Sequence, residues 1–323
     1  RFAYSSLEAP PLLSPSLIIF MQASPFSPLA LRYPSSFPYL VFAGPCSAET
    51  EEQTYATAKA LRAGGVRFFR ASLWKPRTRP GSFEGVGREG LPWLRRIEEE
   101  LGMQVATEVA SASHVEEALR AGLNTFWIGA RTTTSPFAVA ELAEALSGED
   151  VTVLVKNPLN PDIELWEGAL LRLKSAGVDR IAAIHRGFST YGKGFYRNAP
   201  LWQIPIELRR RHPALTILVD PSHISGRRDL VPLVSRIGLE MNFSGLMVET
   251  HLQPDEAWSD AAQQLTPEAL FQLIADLDIR PASLADSPQL RALRGEIDEL
   301  DRKLLLLLQE RMKVSERIGA IKA

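Results

Sequence analysis

Short β-prone runs alternate with longer amphipathic stretches along most of this chain, from residue 38 to residue 278. The eight runs cover residues 39–43, 66–70, 104–108, 125–129, 151–155, 180–185, 215–219 and 246–249. The eight amphipathic stretches cover residues 49–63, 87–101, 113–121, 136–146, 162–175, 201–211, 229–237 and 266–277. Such alternation predicts βαβ units and a parallel sheet. The runs are rich in Val, Ile, Leu and Phe, as expected of strands covered on both faces. Eight units over about 240 residues favour a closed α/β barrel, the (β/α)8 or TIM barrel.

An open, doubly wound sheet is the alternative arrangement for alternating strands and helices. Open sheets that bind dinucleotides usually carry a glycine-rich turn after the first strand. The chain has Gly44-Pro45-Cys46-Ser47 at that place, which lacks the glycine spacing. The sequence therefore favours the closed barrel.

Composition narrows the classes of partner. Hydrophobic residues make up 45% of the chain, which is enough for a large core, and the formal net charge is -2. This charge gives no general attraction to nucleic acid or to an anionic membrane surface. No stretch of the sequence reaches the roughly 18 consecutive apolar residues of a membrane helix. Cys46 is the single cysteine, so an internal disulfide is excluded and a reducing compartment suits the chain. We therefore expect a cytoplasmic protein.

The two ends of the chain differ from the barrel region. Residues 1–37 start with Arg1 and are rich in Ser and Pro, which predicts a disordered or mispredicted leader; the apolar run at 17–21 only faintly resembles a signal peptide. Residues 279–287 are predicted to be a linker, and residues 288–323 to form one long helix. The apolar stripe of that helix is wide enough to need another helix or chain. The pattern stops without a cap, which we interpret as an incomplete domain.

Cations follow several of the predicted strands, and the carboxyl ends of barrel strands form the active-site face. There are six of them: Arg70, Lys75, Arg77, Arg131, Lys156 and Arg186. A single one would be interpreted as a solvated surface residue, but burying six like charges without counter-anions is prohibitive. Arginine suits bidentate binding of phosphate and carboxylate, and lysine supplies a point charge. The sequence therefore predicts a site for a ligand with several negative charges.

A second group of polar residues also follows strand runs: Cys46, His223, Glu249 and Asp260. A thiolate, an imidazole and two carboxylates suit a divalent first-row metal ion. The set is too rich in oxygen for a closed structural zinc site. A lone buried cysteine is more often a small apolar residue, so the prediction depends on the shared placement at strand ends.

Motifs at these positions resemble those of the 3-deoxy-D-arabino-heptulosonate-7-phosphate (DAHP) synthases. The matching segments, in the family's order, are GPCSAE at 44–49, KPRT at 75–78, IGAR at 128–131, VKNP at 155–158, HRGF at 185–188, DPSH at 220–223, VETH at 248–251 and SD at 259–260. The resemblance covers about residues 38–278. It implies a metal-dependent barrel enzyme that condenses phosphoenolpyruvate with erythrose 4-phosphate, the first step of the shikimate pathway.

The resemblance also implies a role for each polar residue. The implied metal ligands are Cys46, His223, Glu249 and Asp260, with Mn²⁺ as the expected ion and Fe²⁺, Co²⁺ or Zn²⁺ as alternatives. The implied phosphoenolpyruvate ligands are Arg70, Lys75, Arg131, Lys156 and Arg186. Arg77 and Thr78 are implied to bind erythrose 4-phosphate. The catalytic candidates are Lys75, Lys156 and Glu108, with proton transfer assigned to either Lys75 or Glu108.

The KPRT segment bears on which sugar is used. Arg79 follows this segment, where the family usually has Ser. The sequence leaves open whether this extra cation changes the contacts to the phosphate of the sugar. The related KDO-8-phosphate synthases use arabinose 5-phosphate and typically have Lys-Ala-Asn-Arg in place of KPRT. The segment therefore favours the four-carbon sugar, with the five-carbon sugar as the alternative.

Residues 292–322, ALRGEIDELDRKLLLLLQERMKVSERIGAIK, resemble the first long helix of the all-helical chorismate mutases. The resemblance implies that Arg294, Arg311 and Lys322 would contact the chorismate dicarboxylate. The other helices of such a domain do not follow, so we expect no mutase activity from the chain as it stands. The alternative is an ordinary amphipathic helix that mediates dimerisation, and both interpretations predict a homo-oligomer through the barrel and this helix.

Two other functions stay open. One is a class I aldolase in which Lys156 forms a Schiff base, and the other is a non-catalytic barrel with an interaction helix. The complete set of candidate metal ligands argues against the non-catalytic barrel. The mutase-like segment also motivates the hypothesis that prephenate restrains the barrel in a protein with a complete mutase domain.

Overall fold

The computed structural model describes residues 24–77, 81–192, 194–277 and 288–322. The chain divides near residue 274 into two compact units. The first contains the barrel and the second contains the C-terminal helix, and each is described by itself.

Eight parallel strands form a closed barrel in which neighbours along the chain are neighbours in the sheet. The strands are β1 (Leu40–Gly44), β2 (Phe68–Arg70), β3 (Gln104–Val109), β4 (Thr125–Ile128), β5 (Thr152–Lys156), β6 (Arg180–His185), β7 (Thr216–Val219) and β8 (Gly245–Glu249). The barrel closes where β1 pairs with β8, with Gly44 opposite Glu249. The predicted (β/α)8 fold is therefore confirmed, and the open sheet is excluded.

Helices follow the strands and cover the outside of the barrel. They are α1 (Glu51–Ala63), α2 (Leu91–Leu101), α3 (Ala112–Arg120), α4 (Ala130–Thr133), α5 (Pro136–Ala145), α6 (Ile163–Ser175), α7 (Gln203–Arg211), α8 (Pro221–Ser225), α9 (Val231–Glu240) and α10 (Pro267–Asp276). Several begin at side-chain caps: Thr50 accepts from the backbone N–H of Gln53, and Asp162 from that of Leu165. The sequence pattern missed the short helices α4 and α8, because a single turn has no periodicity to detect.

Alternate residues of every strand point into the barrel and fill it with side chains. This interior cluster consists of Phe42, Phe68, Ala106, Trp127, Leu154, Ala182, Ile184, Leu218 and Met247. A barrel of eight strands encloses a packed core rather than a pore. The core therefore supports the polar residues at the carboxyl ends of the strands from below.

Residues 24–38 cover the opposite, amino-terminal end of the barrel. The Leu29 N–H donates to Thr216 Oγ1 at 2.9 Å, and the Arg32 N–H donates to Gln104 Oε1 at 3.0 Å. The Phe26 side chain is buried and packs edge-on against His212. This arrangement differs from the disordered leader predicted for residues 1–37, because the apolar side chains among Ser and Pro find a surface only in the folded barrel. Residues 1–23 lie outside the described residues.

The second unit contains α11 (Pro288–Lys322), a single helix of 35 residues. Its apolar side chains are exposed, among them Ile297, Leu304 and Met312. The predicted helix is present, whereas the predicted linker at 279–287 lies outside the described residues. Within the described part of the chain, no helix is both long enough and apolar enough to cross a membrane.

Candidate active site

A cleft of about 260 Å³ opens at the carboxyl ends of the strands. Ten of the predicted site residues line it: Arg70, Lys75, Arg77, Glu108, Arg131, Lys156, Arg186, His223, Glu249 and Asp260. They come from β2, β3, β4, β5, β6, β7 and β8 or the loops that follow these strands. The barrel therefore brings together residues that are up to 190 positions apart in the sequence. Thr78, the remaining predicted ligand of the sugar, lies outside the described residues.

Three of the four predicted metal ligands form one cluster. The ligand atoms of Cys46, Glu249 and Asp260 all lie within 4.8 Å of one another. Cys46 follows β1 and Glu249 ends β8, so the strand pairing that closes the barrel also brings these two residues together. The Cys46 thiol donates a hydrogen bond to Asp260 Oδ2 at 3.2 Å.

His223, the fourth predicted ligand, lies beside this cluster. Its Nε2 is 3.6 Å from Glu249 Oε1, and its Nδ1 is 2.8 Å from Asp220 Oδ2. Burial lowers the pKa of His223, which favours the neutral imidazole that metal ions bind. The Asp220 carboxylate lies beside Nδ1, and Nε2 is on the side of Glu249, so Nε2 is the ring nitrogen that the cluster could use for a metal.

The loop that carries Asp260 is fixed to the loop after β1. Asp260 itself has a left-handed backbone conformation with φ of 47°, which is unfavourable for a residue other than glycine. The Glu49 carboxylate accepts from the Trp258 N–H at 2.7 Å, and the hydroxyls of Ser47 and Ser259 lie 2.8 Å apart. These contacts hold Asp260 in its strained conformation next to Cys46.

The protonation states of the cluster follow from burial and neighbouring charges. Burial, reinforced by the Glu249 carboxylate, raises the pKa of the Cys46 thiol, so a metal ion has to displace its proton. Burial opposes ionisation of Glu249, but His223 and Arg70 outweigh it and lower the pKa of that carboxyl to about 2. Burial likewise opposes ionisation of Asp260, and Lys75, His223 and Arg197 outweigh it, so its pKa is also lowered. The donor set fits a divalent metal ion that takes both sulfur and oxygen ligands.

The predicted substrate-binding cations surround this cluster. Lys75 donates to the Cys46 sulfur and lies 3.8 Å from Asp260 Oδ2. Arg70 donates to Glu249 Oε1 at 2.9 Å and stacks over the Trp127 ring, with its Cζ 4.6 Å from the ring centroid. Because each buried carboxylate has a cation beside it, the cleft tolerates a high charge density.

Lys156 and Arg186 line another part of the cleft. Lys156 Nζ is 2.9 Å from Asp220 Oδ2, and the Arg186 guanidinium donates to Asn198 Oδ1 at 2.9 Å. Burial lowers the pKa of Arg186 to about 10, so the guanidinium stays charged at neutral pH. Glu108 accepts from Ser72 at 3.1 Å and from the Trp127 indole at 3.2 Å.

The sequence pattern assigned no role to several residues that contact this site, among them Asp220, Gln263 and Arg197. Asp220 links His223 to Lys156, Gln263 donates to Glu249 Oε2 at 2.6 Å, and Arg197 donates to Asp260 Oδ1 at 3.0 Å. Asp220 is part of the DPSH segment and could have been found there. Arg197 and Gln263 lie within long loops, away from any strand end, so the rule based on strand ends had no signal for them.

The residues predicted to contact chorismate lie on α11. Arg311 and Lys322 are exposed, and eleven positions of helix separate them by about 16 Å along the axis. The side chain of Arg294 is outside the described residues. By itself, the helix does not bring Arg311 and Lys322 together.

Comparisons with known proteins agree with this geometry. The chain matches the DAHP synthetase I family over residues 36–278 and chorismate mutase type II over residues 293–323. The phospho-2-dehydro-3-deoxyheptonate aldolase of Thermotoga maritima is 33% identical over 239 residues, which cover 74% of this chain and 69% of the relative. The 2-dehydro-3-deoxyphosphooctonate aldolase of Variovorax paradoxus is 29% identical over 266 residues, covering 75% of this chain and 90% of the relative.

Solved structures show the same likeness. The crystal structure of the Thermotoga maritima phospho-2-dehydro-3-deoxyheptonate aldolase (DAHP synthase) has a TM-score of 0.67 and 31% identity, covering 77% of this chain and 69% of that one. A truncated form of the Thermotoga maritima DAHP synthase has a TM-score of 0.64 and 29% identity, with 77% and 87% coverage.

The barrel, its cation-lined cleft and these relatives define an aldolase-type (β/α)8 enzyme. The chain belongs to the DAHP synthetase I family, and the resemblance found in its motifs is confirmed. The family is metal-dependent and acts in the shikimate pathway. The C-terminal helix belongs to a segment of chorismate mutase type.

Proposed function

We propose that this chain joins phosphoenolpyruvate to erythrose 4-phosphate, giving 3-deoxy-D-arabino-heptulosonate 7-phosphate and inorganic phosphate. One observation carries the proposal: Lys75 and Arg77 of the KPRT segment lie against the candidate metal ligands. Lys75 contacts Cys46, and Arg77 Nη1 is 3.9 Å from Asp260 Oδ2. Lys156 and Arg186 line the same cleft of about 260 Å³. The cleft thus offers cations for two phosphate groups and one carboxylate next to a metal-ligand cluster.

In the proposed reaction, C3 of phosphoenolpyruvate forms a bond to the aldehyde carbon of the sugar. Water then adds at C2, and the C2–O bond to phosphate breaks. Cys46, His223, Glu249 and Asp260 would hold a divalent metal, with Mn²⁺ proposed as the ion, and this metal supplies Lewis acidity toward the aldehyde oxygen. Lys156, Arg131 and Arg186 would bind the phosphate and carboxylate of phosphoenolpyruvate.

Lys75 is the proposed proton donor to the oxygen of the attacked aldehyde. Burial lowers the proton affinity of Lys75, but Cys46 and Glu249 outweigh this effect and raise its pKa. Glu108 is held by Ser72 and Trp127 and lines the cleft, where it would orient the attacking water. A donor in the segment after β2 and an acceptor on β3 suit a reaction that needs both.

The four-carbon sugar is proposed over the five-carbon sugar. The relative with the seven-carbon product in its name is 33% identical, and those with an eight-carbon product in their names are 25–29% identical. Phosphoenolpyruvate contributes three carbons, so these names correspond to sugars of four and five carbons. The Arg77 contact with Asp260 is available to this chain because it has KPRT.

The test is consumption of phosphoenolpyruvate with erythrose 4-phosphate or with arabinose 5-phosphate. Each sugar is assayed on chelator-treated protein before and after addition of Mn²⁺. We expect Mn²⁺-dependent turnover with erythrose 4-phosphate only. Turnover with arabinose 5-phosphate would assign the chain to the eight-carbon reaction, and no turnover with either sugar would refute both.

A Schiff-base mechanism at Lys156 is less well supported. To attack a carbonyl, the Lys156 amine would first have to lose its proton, which would leave the fully buried Asp220 carboxylate without this paired cation. We expect borohydride to trap no substrate on Lys156, as measured by the mass of the intact protein. Covalent trapping together with metal-independent turnover would favour the alternative.

We further propose that α11 is the first helix of a chorismate mutase domain, with Arg294, Arg311 and Lys322 directed to chorismate. One helix by itself cannot enclose a substrate, so turnover of chorismate would need further helices beside α11.

We also propose that the chain forms a homo-oligomer through the barrel and α11. The proposed location is the cytoplasm. Size measurement of the chain with and without residues 288–323 tests the contribution of the helix.

A further inference from the structure

Arg197 lies in the loop between β6 and α7 and lines the cleft, although no strand end predicts it. We propose that Arg197 is a second arginine for the phosphate of the sugar substrate and forms a two-arginine clamp with Arg77. This inference rests on the proposed function, because it assigns a ligand group of that same site.

The two arginines are brought together by one carboxylate. Arg197 Nη1 is 3.0 Å from Asp260 Oδ1, and Arg77 Nη1 is 3.9 Å from Asp260 Oδ2. One guanidinium therefore lies at each oxygen of Asp260, although the two residues are 120 positions apart in the sequence. Asp260 partly neutralises both, which allows two like charges to share one wall of the cleft.

Both arginine side chains remain open to a ligand. Arg197 is 48% exposed and Arg77 is 24% exposed, whereas Arg70 is 2% exposed and donates to Glu249 Oε1 and to the Cys46 carbonyl. Arg197 uses only Nη1 for its hydrogen bonds to Asp260 and to Gln263 Oε1. Its Nε and Nη2 have no hydrogen-bond partner among the described residues. Guanidinium donors in this state suit bidentate binding of phosphate.

The position of Arg197 is fixed by α8 and by Gly226, which follows this helix. The Arg197 N–H donates to the Ser225 carbonyl at 3.3 Å, and the Asn198 amide donates to the His223 carbonyl at 2.6 Å. Gly226 has φ of +69°, and a Cβ there would lie 2.4 Å from the Arg197 Cβ. The helix that carries His223 and the glycine after it thus place Arg197 beside the cleft.

The experiment compares Arg197→Met and Arg197→Lys with the parent chain. Steady-state kinetics gives the KM for each substrate, and Mn²⁺ titration followed by electron paramagnetic resonance gives the metal affinity. We expect Arg197→Met to raise the KM for erythrose 4-phosphate about tenfold or more, the effect of losing a charge-assisted pair. The KM for phosphoenolpyruvate should change less than about twofold. Arg197→Lys should raise the KM for erythrose 4-phosphate less than Arg197→Met does, because lysine keeps the charge but cannot bind phosphate in the bidentate way of a guanidinium.

Arg227→Met is the matched control, because Arg227 is an exposed arginine that pairs with Asp229 outside the cleft. It should leave both KM values unchanged. If Arg197→Met weakens Mn²⁺ binding and leaves the KM for the sugar unchanged, Arg197 only positions Asp260 and the clamp is refuted. Thermal melting shows whether the variants are folded.

Failure of the proposed function can be told apart from failure of the clamp. If the parent chain shows no turnover, calorimetry of erythrose 4-phosphate binding to the parent and to Arg197→Met still tests Arg197. Binding that is about tenfold weaker in Arg197→Met supports the clamp without the reaction. Equal binding by the two proteins, or no binding to the parent, refutes it.

Discussion

Asp220 Oδ2 lies 2.8 Å from His223 Nδ1. The same oxygen lies 2.9 Å from Lys156 Nζ, so one buried carboxylate joins a candidate metal ligand to a candidate substrate-binding lysine. Burial opposes ionisation of Asp220, but His223 and Lys156 outweigh it and hold the pKa of its carboxyl well below the usual range. Asp220 Oδ1 also accepts from the His223 N–H at 3.0 Å and thereby caps α8.

Replacement of Asp220 by Asn should therefore affect the metal and phosphoenolpyruvate together. We expect Mn²⁺ affinity to fall about 10- to 100-fold, as is typical when the partner of a metal-binding histidine is removed. The KM for phosphoenolpyruvate should rise because Lys156 loses its fixed position. Mn²⁺ titration and steady-state kinetics measure the two effects. Asp229→Asn, which removes an exposed ion pair with Arg227, is the control, and equal behaviour of the two variants would contradict the prediction.

Cys46→Ser should change which metal the site prefers. Thiolate favours softer ions such as Zn²⁺, whereas carboxylate oxygens suit Mn²⁺. We expect the ratio of Zn²⁺ affinity to Mn²⁺ affinity to fall by about tenfold or more. Competition between the two ions for the purified variant measures this ratio. An unchanged ratio would mean that the sulfur of Cys46 does not bind the metal.

His185 should make the free energy of unfolding depend on pH. It is fully buried among Trp166, Phe188 and Trp202, and burial lowers its pKa from 6.5 to about 3. On acidification, the unfolded chain binds this proton at a higher pH than the folded chain does. The contribution of neutral His185 to the free energy of unfolding is therefore complete above pH 6.5 and is lost as the pH falls toward 3. The slope is at most about 1.4 kcal/mol per pH unit.

His185→Phe tests this prediction, because phenylalanine suits the aromatic surroundings and does not titrate. Urea unfolding of both proteins between pH 7 and pH 4 gives the free energies. As the pH falls, the free energy of unfolding should decrease more for the parent than for His185→Phe. Parallel pH profiles would show that His185 is not held in its neutral form.

Phe26→Ala tests whether residues 24–37 belong to the barrel. Phe26 is 5% exposed and packs against His212, so its removal should lower the free energy of unfolding by about 3 kcal/mol. Phe137→Ala is the matched control, because Phe137 is 90% exposed and its loss should have little effect. Urea unfolding measures both. A small effect in both variants would mean that the segment contributes nothing to the stability of the barrel.

The alternation of strands and helices was predictable from the sequence because each strand run is continuous and apolar. All eight predicted runs overlap an observed strand, and the residues after them line one cleft. Arg70, Lys156 and Glu249 could be found in this way because each is the last residue of its strand. Because the carboxyl ends of barrel strands form the active-site face, the positions of the strands alone are enough to predict these residues.

Other features depend on contacts between distant segments, which no local pattern records. Arg197 and Gln263 contact the metal-ligand cluster from within loops, and the strained conformation of Asp260 depends on bonds that link residues 47 and 49 with the loop at 258–259. The ordering of residues 24–37 likewise depends on Thr216 and Gln104, which lie far away in the sequence. The sequence by itself determined the barrel and the chemical types at its mouth, because periodicity and strand ends are local properties. Only the tertiary structure decided which donor faces which acceptor, because hydrogen bonds and ion pairs depend on distances that the folded chain alone defines.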